Sequence, residues 1–355
     1  MHELDKMTPN ERLGAYLSGG DVDRIPIMPF FVSCAGKVAG MTHKQKRSSA
    51  ENTAAAQIAC YERYGNDGMI VEFGLHGIAH GFDTQFNDPE DAVPAIIKAV
   101  MNDLDDLDKL DPKALQNNDW YKMNIEAVKI LNKEYGHEVG TNITFPGPMT
   151  AAASLLPIEK LLRQFRKRPE QAHELMRFCT DMLLEAADGF MEAGGGIFLC
   201  DPIASGSVID KKTYREFVLP YSQEIANLCH SKGLGMGYHN CGETNAVIED
   251  LLETGCDMIS LDTQVNFGHL KEVAGDRVPI LSNVDVCQAM LLGTPADVEE
   301  NVKQNLRDGW DSPKRMILSN SCDIPIASPM ENIDAMMAAG RKYGAWPLDP
   351  EKFAE

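Results

Sequence analysis

The stretch Gly237-Tyr238-His239-Asn240-Cys241-Gly242-Glu243-Thr244 decides how the rest of the chain is read. A Gly- and Met-rich run, Gly233-Leu234-Gly235-Met236-Gly237, leads into it, and an amphipathic stretch from Ala246 to Thr254 follows. A short strand therefore hands over to a helix here. On extended backbone, alternate residues point to the same side. His239 and Cys241 can reach one point together, and a soft divalent metal such as Zn²⁺ accepts both donors. Cys322, in Leu318-Ser319-Asn320-Ser321-Cys322-Asp323, is the distant residue expected to join them. Alone, His-x-Cys equally describes a buried imidazole and a buried thiol that never meet a metal. The weight rests on where the strand sits in the fold.

Working outward, short apolar runs alternate with helical patterns. Strands are predicted near residues 25–31, 68–72, 139–145, 195–200, 234–239, 256–261, 279–283 and 315–319. Each is followed by helix before the next, which implies a parallel sheet with crossover helices. Eight such units predict an α/β fold of the (β/α)₈ TIM-barrel type. A doubly wound sheet would show a Gly-rich turn after its first strand, where this chain has Pro29-Phe30-Phe31-Val32-Ser33. Thr8-Pro9-Asn10-Glu11 reads as a capping box with Pro at N1. Residues 1–20 are thus predicted to form an N-terminal helical segment, and residues 21–355 a single barrel domain. Pro26 and Pro29 remove ladder donors from the first strand, which is expected to be irregular. Asp88-Pro89-Glu90-Asp91 is expected to cap a helix.

With 355 residues, 44% hydrophobic and 24% charged, the chain can bury a sizeable core. Its formal net charge of -20 argues against nucleic acid as a partner. No apolar run approaches the roughly 18 residues of a transmembrane helix, so no membrane partner is expected. The N-terminus lacks the apolar core of a signal peptide, and nine Cys lie without framework spacing. Reduced thiols and a cytoplasmic location are the expectation.

Barrel enzymes carry their chemistry at the C-terminal ends of the strands. There the sequence places Glu72, Thr144, Asp201, His239, Asp262 and Asn283, with Cys322 just past strand eight. Strand ends are polar wherever chains turn, which accounts for an Asp or an Asn. It accounts less well for a His-x-Cys and a second Cys on one face. Three ligands without a second CxxC suggest a catalytic site with an open place. Glu72, Asp201 or Asp262 can fill that place or act as catalytic carboxylates. Zinc with thiolate ligands suits thiol activation or group transfer, or polarisation of an ether or hydroxyl oxygen. His76 and His80 sit in a Gly-rich loop and are read as pocket lining or plain loop. Cys200 and Asp201 are expected to face opposite sides. Cys34, Cys60, Cys179, Cys229, Cys256 and Cys287 read as core or surface thiols, and there is no GxSxG, P-loop or convincing GxGxxG.

Several stretches together resemble a known family. They are Asp201-Pro202-Ile203-Ala204-Ser205, Tyr214 to Tyr221, His239-Asn240-Cys241-Gly242, Asn283-Val284-Asp285, Gly293-Thr294-Pro295 and the tail around Cys322 and Pro329-Met330-Glu331-Asn332-Ile333. Across nearly the whole chain they resemble the uroporphyrinogen decarboxylase superfamily, and within it the corrinoid-dependent methyltransferase branch. The resemblance implies a zinc site at His239, Cys241 and Cys322. It also implies methyl transfer to or from the cobalt of a corrinoid (cobalamin) held by a partner protein. Gly242, with Gly237, is read as room for that large cofactor, and Asn283 as a second residue near it. The small molecule is a thiol acceptor such as coenzyme M, or a methyl donor such as an aromatic methyl ether. Phe30, Phe31, Phe73, Phe82 and Phe145 tilt the expectation toward the demethylating reaction, since they could line an aromatic-sized pocket. A decarboxylase working without metal is the alternative, but Pro29 to Lys37 holds no Arg to bind a polycarboxylate. A non-catalytic barrel stapled by zinc is the third.

Overall fold

Seven short strands pair side by side, all in parallel. The structure, a computed structural model, describes residues 2–354. In chain order the strands are β1 (Met69–Glu72), a small antiparallel pair β2 (Gln85–Phe86) and β3 (Ile96–Lys98), then β4 (Thr141–Pro146), β5 (Gly195–Cys200), β6 (Met236–Asn240), β7 (Met258–Leu261), β8 (Ile280–Leu281) and β9 (Met316–Ile317). The large sheet runs β1-β4-β5-β6-β7-β8-β9. Helices cross over between consecutive members, among them Asp119–Tyr135 after β1, Pro169–Glu192 after β4 and Pro295–Gly309 after β8.

The first predicted strand does not form a ladder strand. Residues 25–31 instead close the barrel through a few bonds. Ile27 makes a single parallel bridge to Leu318. Met28 N–H donates to Leu318 O (2.8 Å), Leu318 N–H to Pro26 O (3.0 Å), and on the other side Asp67 N–H to Ile27 O (2.8 Å). Pro26 and Pro29 have no N–H to extend either ladder. The eighth place of the barrel is thus occupied by an irregular segment that touches both neighbours.

The N-terminal helix, Pro9–Leu17, begins with the expected capping box of Thr8 and Glu11. It lies across the N-terminal end of the barrel. The Tyr16 hydroxyl donates to Met316 O at the start of β9 (2.8 Å), and the Arg12 guanidinium reaches Asp67, just before β1. Apolar side chains form two packed regions. Phe30, Phe198, Leu281 and Ile317 fill the inside of the barrel, and a much larger cluster lies between strands and helices.

The segment Asp88–Asp91 caps no following helix. It belongs to the connection between β2 and β3, and its polar groups are used by the earlier helix His43–Lys46. His43 N–H donates to Asp91 Oδ1 (3.0 Å) and Lys44 N–H to Glu90 O (2.9 Å). Lys44 and Arg47 both pair with Asp88. Those contacts hold the β2–β3 excursion over the C-terminal end of the barrel.

Candidate metal centre and cavity

His239 is the penultimate residue of β6, and Cys241 lies just past its end. The alternation read from the sequence turns both toward one point. Cys322 arrives there from the loop after β9. His239 Nε2 is 3.0 Å from Cys241 Sγ, and Cys241 Sγ is 3.2 Å from Cys322 Sγ. The three donor atoms lie within 4.8 Å of one another, the one such His/Cys/Asp/Glu grouping among the described residues. The other ring nitrogen, Nδ1, lies 3.0 Å from the Ser260 hydroxyl on β7. All nine cysteines are free thiols.

The two sulfurs divide one proton unequally. The hydrogen bond shared by the two sulfurs pulls Cys322 well below the ordinary thiol range despite its burial; His239 adds to the effect. The same contact, with burial, pushes Cys241 up. A buried pocket that already favours one thiolate beside an oriented imidazole fits zinc, which binds Cys sulfur and His nitrogen. The imidazole's second nitrogen is held as such ligands require.

The centre opens into a cavity of about 460 Å³ at the C-terminal end of the strands. Part of its wall is aromatic: Phe30, Phe73, Phe86 and Trp120 line it, as do His76 and His80. The His80 ring stacks between Phe86 (centroids 4.2 Å apart) and Trp120 (5.2 Å). Of the five phenylalanines expected there, Phe31, Phe82 and Phe145 do not line it. Phe31 packs on Tyr64, Phe82 on Phe178, and Phe145 stacks behind Phe73. Phe86 and Trp120 take their place. They come from the β2–β3 excursion and the start of helix Asp119–Tyr135, outside the strand ends where the sequence directed attention.

The carboxylates expected at the strand ends do three different things, and none belongs to the three-donor cluster. Glu72 lines the cavity. Burial alone would raise its pKa, but the Lys46 ammonium, 2.8 Å away, and His43 overcome this and hold it below the usual range. Asp201 is fully buried and outside the cavity lining. It accepts bonds from Met149 N–H (3.3 Å), Thr150 N–H (2.8 Å) and the Thr150 hydroxyl (2.6 Å), so it caps helix Pro148–Leu155 from β5. Burial pushes it up to about 6. Asp262 accepts from Gly242 N–H (2.9 Å) and from the Thr263 hydroxyl (3.0 Å). That bond pins the turn in which Gly242 adopts φ +79°. Asn283 braces the loop after β7, donating to Asp262 O and Val265 O. Gly237 is not at the open face; a side chain there would strike Phe198 inside the barrel.

Three cavity residues escape the strand-end reading. Cys200 faces the cavity while Asp201 faces away, as alternation requires. Asp323, next to Cys322, is tied down by Val32 N–H, Ser33 N–H and the Ser33 hydroxyl, and burial pushes it up to about 7. Arg47, from the short helix before Ser49, is held by Asp88.

The profile of the uroporphyrinogen decarboxylase (URO-D) family matches residues 8–343. The chain belongs to this family. Among URO-D relatives, the methylated-thiol:coenzyme M methyltransferase of Methanosarcina mazei is 27% identical, over 95% of this chain and 90% of its own. The methylcobamide:CoM methyltransferase of Methanosarcina acetivorans is 27% identical over 96% of this chain and 99% of its own. A uroporphyrinogen decarboxylase of Mannheimia succiniciproducens aligns over 63% of this chain and 65% of its own, at 26% identity. Likeness to the methyltransferases therefore runs further along the chain. Among solved structures, a methyltransferase from Methanosarcina mazei superposes with a TM-score of 0.84 at 23% identity, covering 96% of this chain and 100% of that one. The URO-D barrel is thus its fold. No helix among the described residues is long and apolar enough to cross a membrane.

Proposed function

We propose that this URO-D protein is a zinc-dependent methyltransferase. It moves a methyl group between a small molecule in the cavity and the cobalt of a corrinoid carried by a partner protein. The observation that carries the reading is the convergence of His239 Nε2, Cys241 Sγ and Cys322 Sγ beside the cavity. The full-length likeness to methylcobamide and methylated-thiol methyltransferases supports it.

The chain's own residues prepare that chemistry. Ser260 orients His239 so that Nε2 faces the two sulfurs. Cys241 and Cys322 supply the soft, negatively charged donors, and zinc bound to them would hold a substrate thiol as thiolate or polarise a substrate oxygen. The aromatic walls exclude water and position the small molecule, while the open side of the barrel leaves room for a corrinoid. A thiol acceptor follows from the names of the relatives. A methyl ether donor is the second reading, favoured by the stacked Phe86, His80 and Trp120 wall. A polycarboxylate substrate finds little support, since Arg47 is the one arginine lining the cavity and Asp88 already engages its Nη2.

Metal analysis joined to a cobalt absorbance assay tests the proposal. About one zinc per chain is expected from a site with this donor set. Cob(I)alamin should be methylated by a methyl ether, or methylcobalamin demethylated by a thiol. Both zinc and activity should be lost in Cys241→Ala and Cys322→Ala. Full activity in metal-free protein would overturn it.

A further inference from the structure

Two carboxylates line the cavity, and only one has an oxygen to spare. Asp323 is surrounded by three donors from Val32 and Ser33. Glu72 uses Oε2 for the Lys46 ammonium, and among the described residues nothing hydrogen-bonds Oε1. The Glu72 side chain keeps 14% of its surface while Lys46 keeps 2%, so the carboxylate is the open end of a pair anchored from behind. Lys46 is fixed in turn: its ammonium also donates to Val32 O (2.8 Å). Gly74 lies beside this carboxylate. Its φ of +78° suits glycine, and a side chain there would come within 3.7 Å of Oε1.

The cavity that Glu72 lines also carries the apolar side chains of Phe73, Phe86, Val93 and Trp120, while the charges that act on the carboxylate are those of Lys46, His43 and Arg47. In such a setting an accessible, ionised acceptor discriminates strongly. A substrate that donates a hydrogen bond satisfies it, a substrate without a donor leaves it dry, and an anion is repelled. One arginine also lines the cavity: Asp88 and Pro89 O engage Nη2 of Arg47, but its buried Nε has no partner among the described residues, so Arg47 opposes Glu72 in the choice of charge and an anionic probe decides which of the two dominates.

We propose that Glu72, positioned by Lys46, is the specificity-determining residue of this cavity and selects a substrate bearing a hydrogen-bond donor, a hydroxyl or protonated amine, at a distance from the transferred methyl group. The inference rests on the methyl-transfer reading for its meaning, but it makes a claim about binding alone. Glu72 ends β1, in register with Thr144 on β4, which is in register with Phe198 on β5 and then Gly237 on β6. That chain of neighbours places it three strands around the barrel from His239. Three spacings of roughly 4.8 Å separate the two strands around the sheet, and both side chains line the cavity between them, so a substrate whose donor stands across an aromatic ring from its methyl group suits the pair better than one whose two groups are adjacent.

Calorimetric titration of the zinc-loaded protein without corrinoid tests this with four probes: 4-methoxyphenol, 4-methoxybenzylamine, 1,4-dimethoxybenzene and 4-methoxybenzoate. The phenol or the amine should bind about tenfold more tightly than 1,4-dimethoxybenzene, the gain of one hydrogen bond to a charged acceptor. The benzoate should be weakest. The phenol and amine arms tell which donor is read. In Glu72→Gln the preference over 1,4-dimethoxybenzene should fall to within about twofold and the penalty on the benzoate should shrink, because the carboxylate charge is gone. Zinc content should stay unchanged. Equal affinities, tightest binding of the benzoate, a preference that survives Glu72→Gln, or no binding of any probe would each overturn the role of Glu72. Should the preference hold while no probe methylates cob(I)alamin, the methyl-transfer reading fails and the selection by Glu72 stands.

Discussion

The imidazole Nδ1 of His239 lies 3.0 Å from the hydroxyl of Ser260, its register partner on the adjacent strand β7. Ser260 is fully buried, and this is its side chain's one hydrogen bond among the described residues. Nδ1–H donating to Ser260 leaves the Nε2 lone pair facing the two sulfurs. Removing the hydroxyl frees the ring to rotate or change tautomer. Ser260→Ala should therefore weaken zinc binding by about 10–100-fold while the fold stays intact. Competition with a chromophoric chelator measures the affinity, and circular dichroism controls for folding.

Asp201 stands at a strand end, as a catalytic carboxylate would, yet its oxygens are used to cap helix Pro148–Leu155. A cap deletion has a known size. Asp201→Ala should destabilise the protein by about 2 kcal/mol in urea titration. At a temperature where the variant is folded, kcat/KM should stay within a few-fold of wild type. Loss of activity in folded, zinc-loaded Asp201→Ala would return Asp201 to the chemistry.

These two residues show what the sequence could and could not reveal. His239 and Cys241 were legible because a strand's period of two fixes which residues share a side, and the fold puts strand ends together. Asp201 satisfied the same positional rule. What separates it from Glu72 is a tertiary detail: helix Pro148–Leu155 begins directly against it, and Gly147 has no side chain to keep it away. No local pattern encodes that. Lys46, Phe86 and Trp120 were missed for another reason. They come from short helical and excursion segments between strands, whose placement depends on contacts such as Lys44 and Arg47 with Asp88. The first strand was half legible. Pro26 and Pro29 announced its irregularity, but not that it would be reduced to a single bridge.

Acid should loosen the N-terminal end of the barrel. Arg12 is fully buried, with Asp23 Oδ1 2.6 Å from its Nε and Asp67 on its other side. Arg24 meets Asp5 at 3.0 Å. Burial alone would raise the pKa of Asp23, but its bonds from Arg12 and from Lys6 and Met7 N–H hold it well below the usual range, and Asp5 is lowered in the same way by Arg24. In the unfolded chain these groups titrate near pH 3.9. The folded pKa is the lower one, so the stabilisation is fully present above about pH 4 and is lost as pH falls toward the folded values. Asp23→Asn, which leaves Arg12 short of a partner, should cost about 3 kcal/mol at pH 7. The gap to wild type should narrow below pH 4, as read by urea titration across pH. A gap that is constant with pH would show that Asp23 contributes by packing rather than by charge.

Gly237 tests whether the barrel interior positions the metal centre from below. The Phe198 ring occupies the place a side chain at 237 would take, and Phe198 in turn sits edge-on to Phe30, 5.3 Å away. Phe30 is also in ring contact with His239 at 5.3 Å. Overpacking at 237 must therefore push Phe198 or lift β6, and either movement is carried toward His239. Gly237→Ala should destabilise the protein by about 1–3 kcal/mol and lower its zinc affinity. Phe198→Leu creates room at the same point, so the double variant should be more stable than the sum of the two single losses predicts, by more than about 0.5 kcal/mol. Chelator competition on the same variants reads the second half of the claim: zinc affinity should recover together with stability. If stability recovers in the double variant while zinc affinity stays low, the interior packs the barrel without aligning His239, and the alignment is left to Ser260 alone.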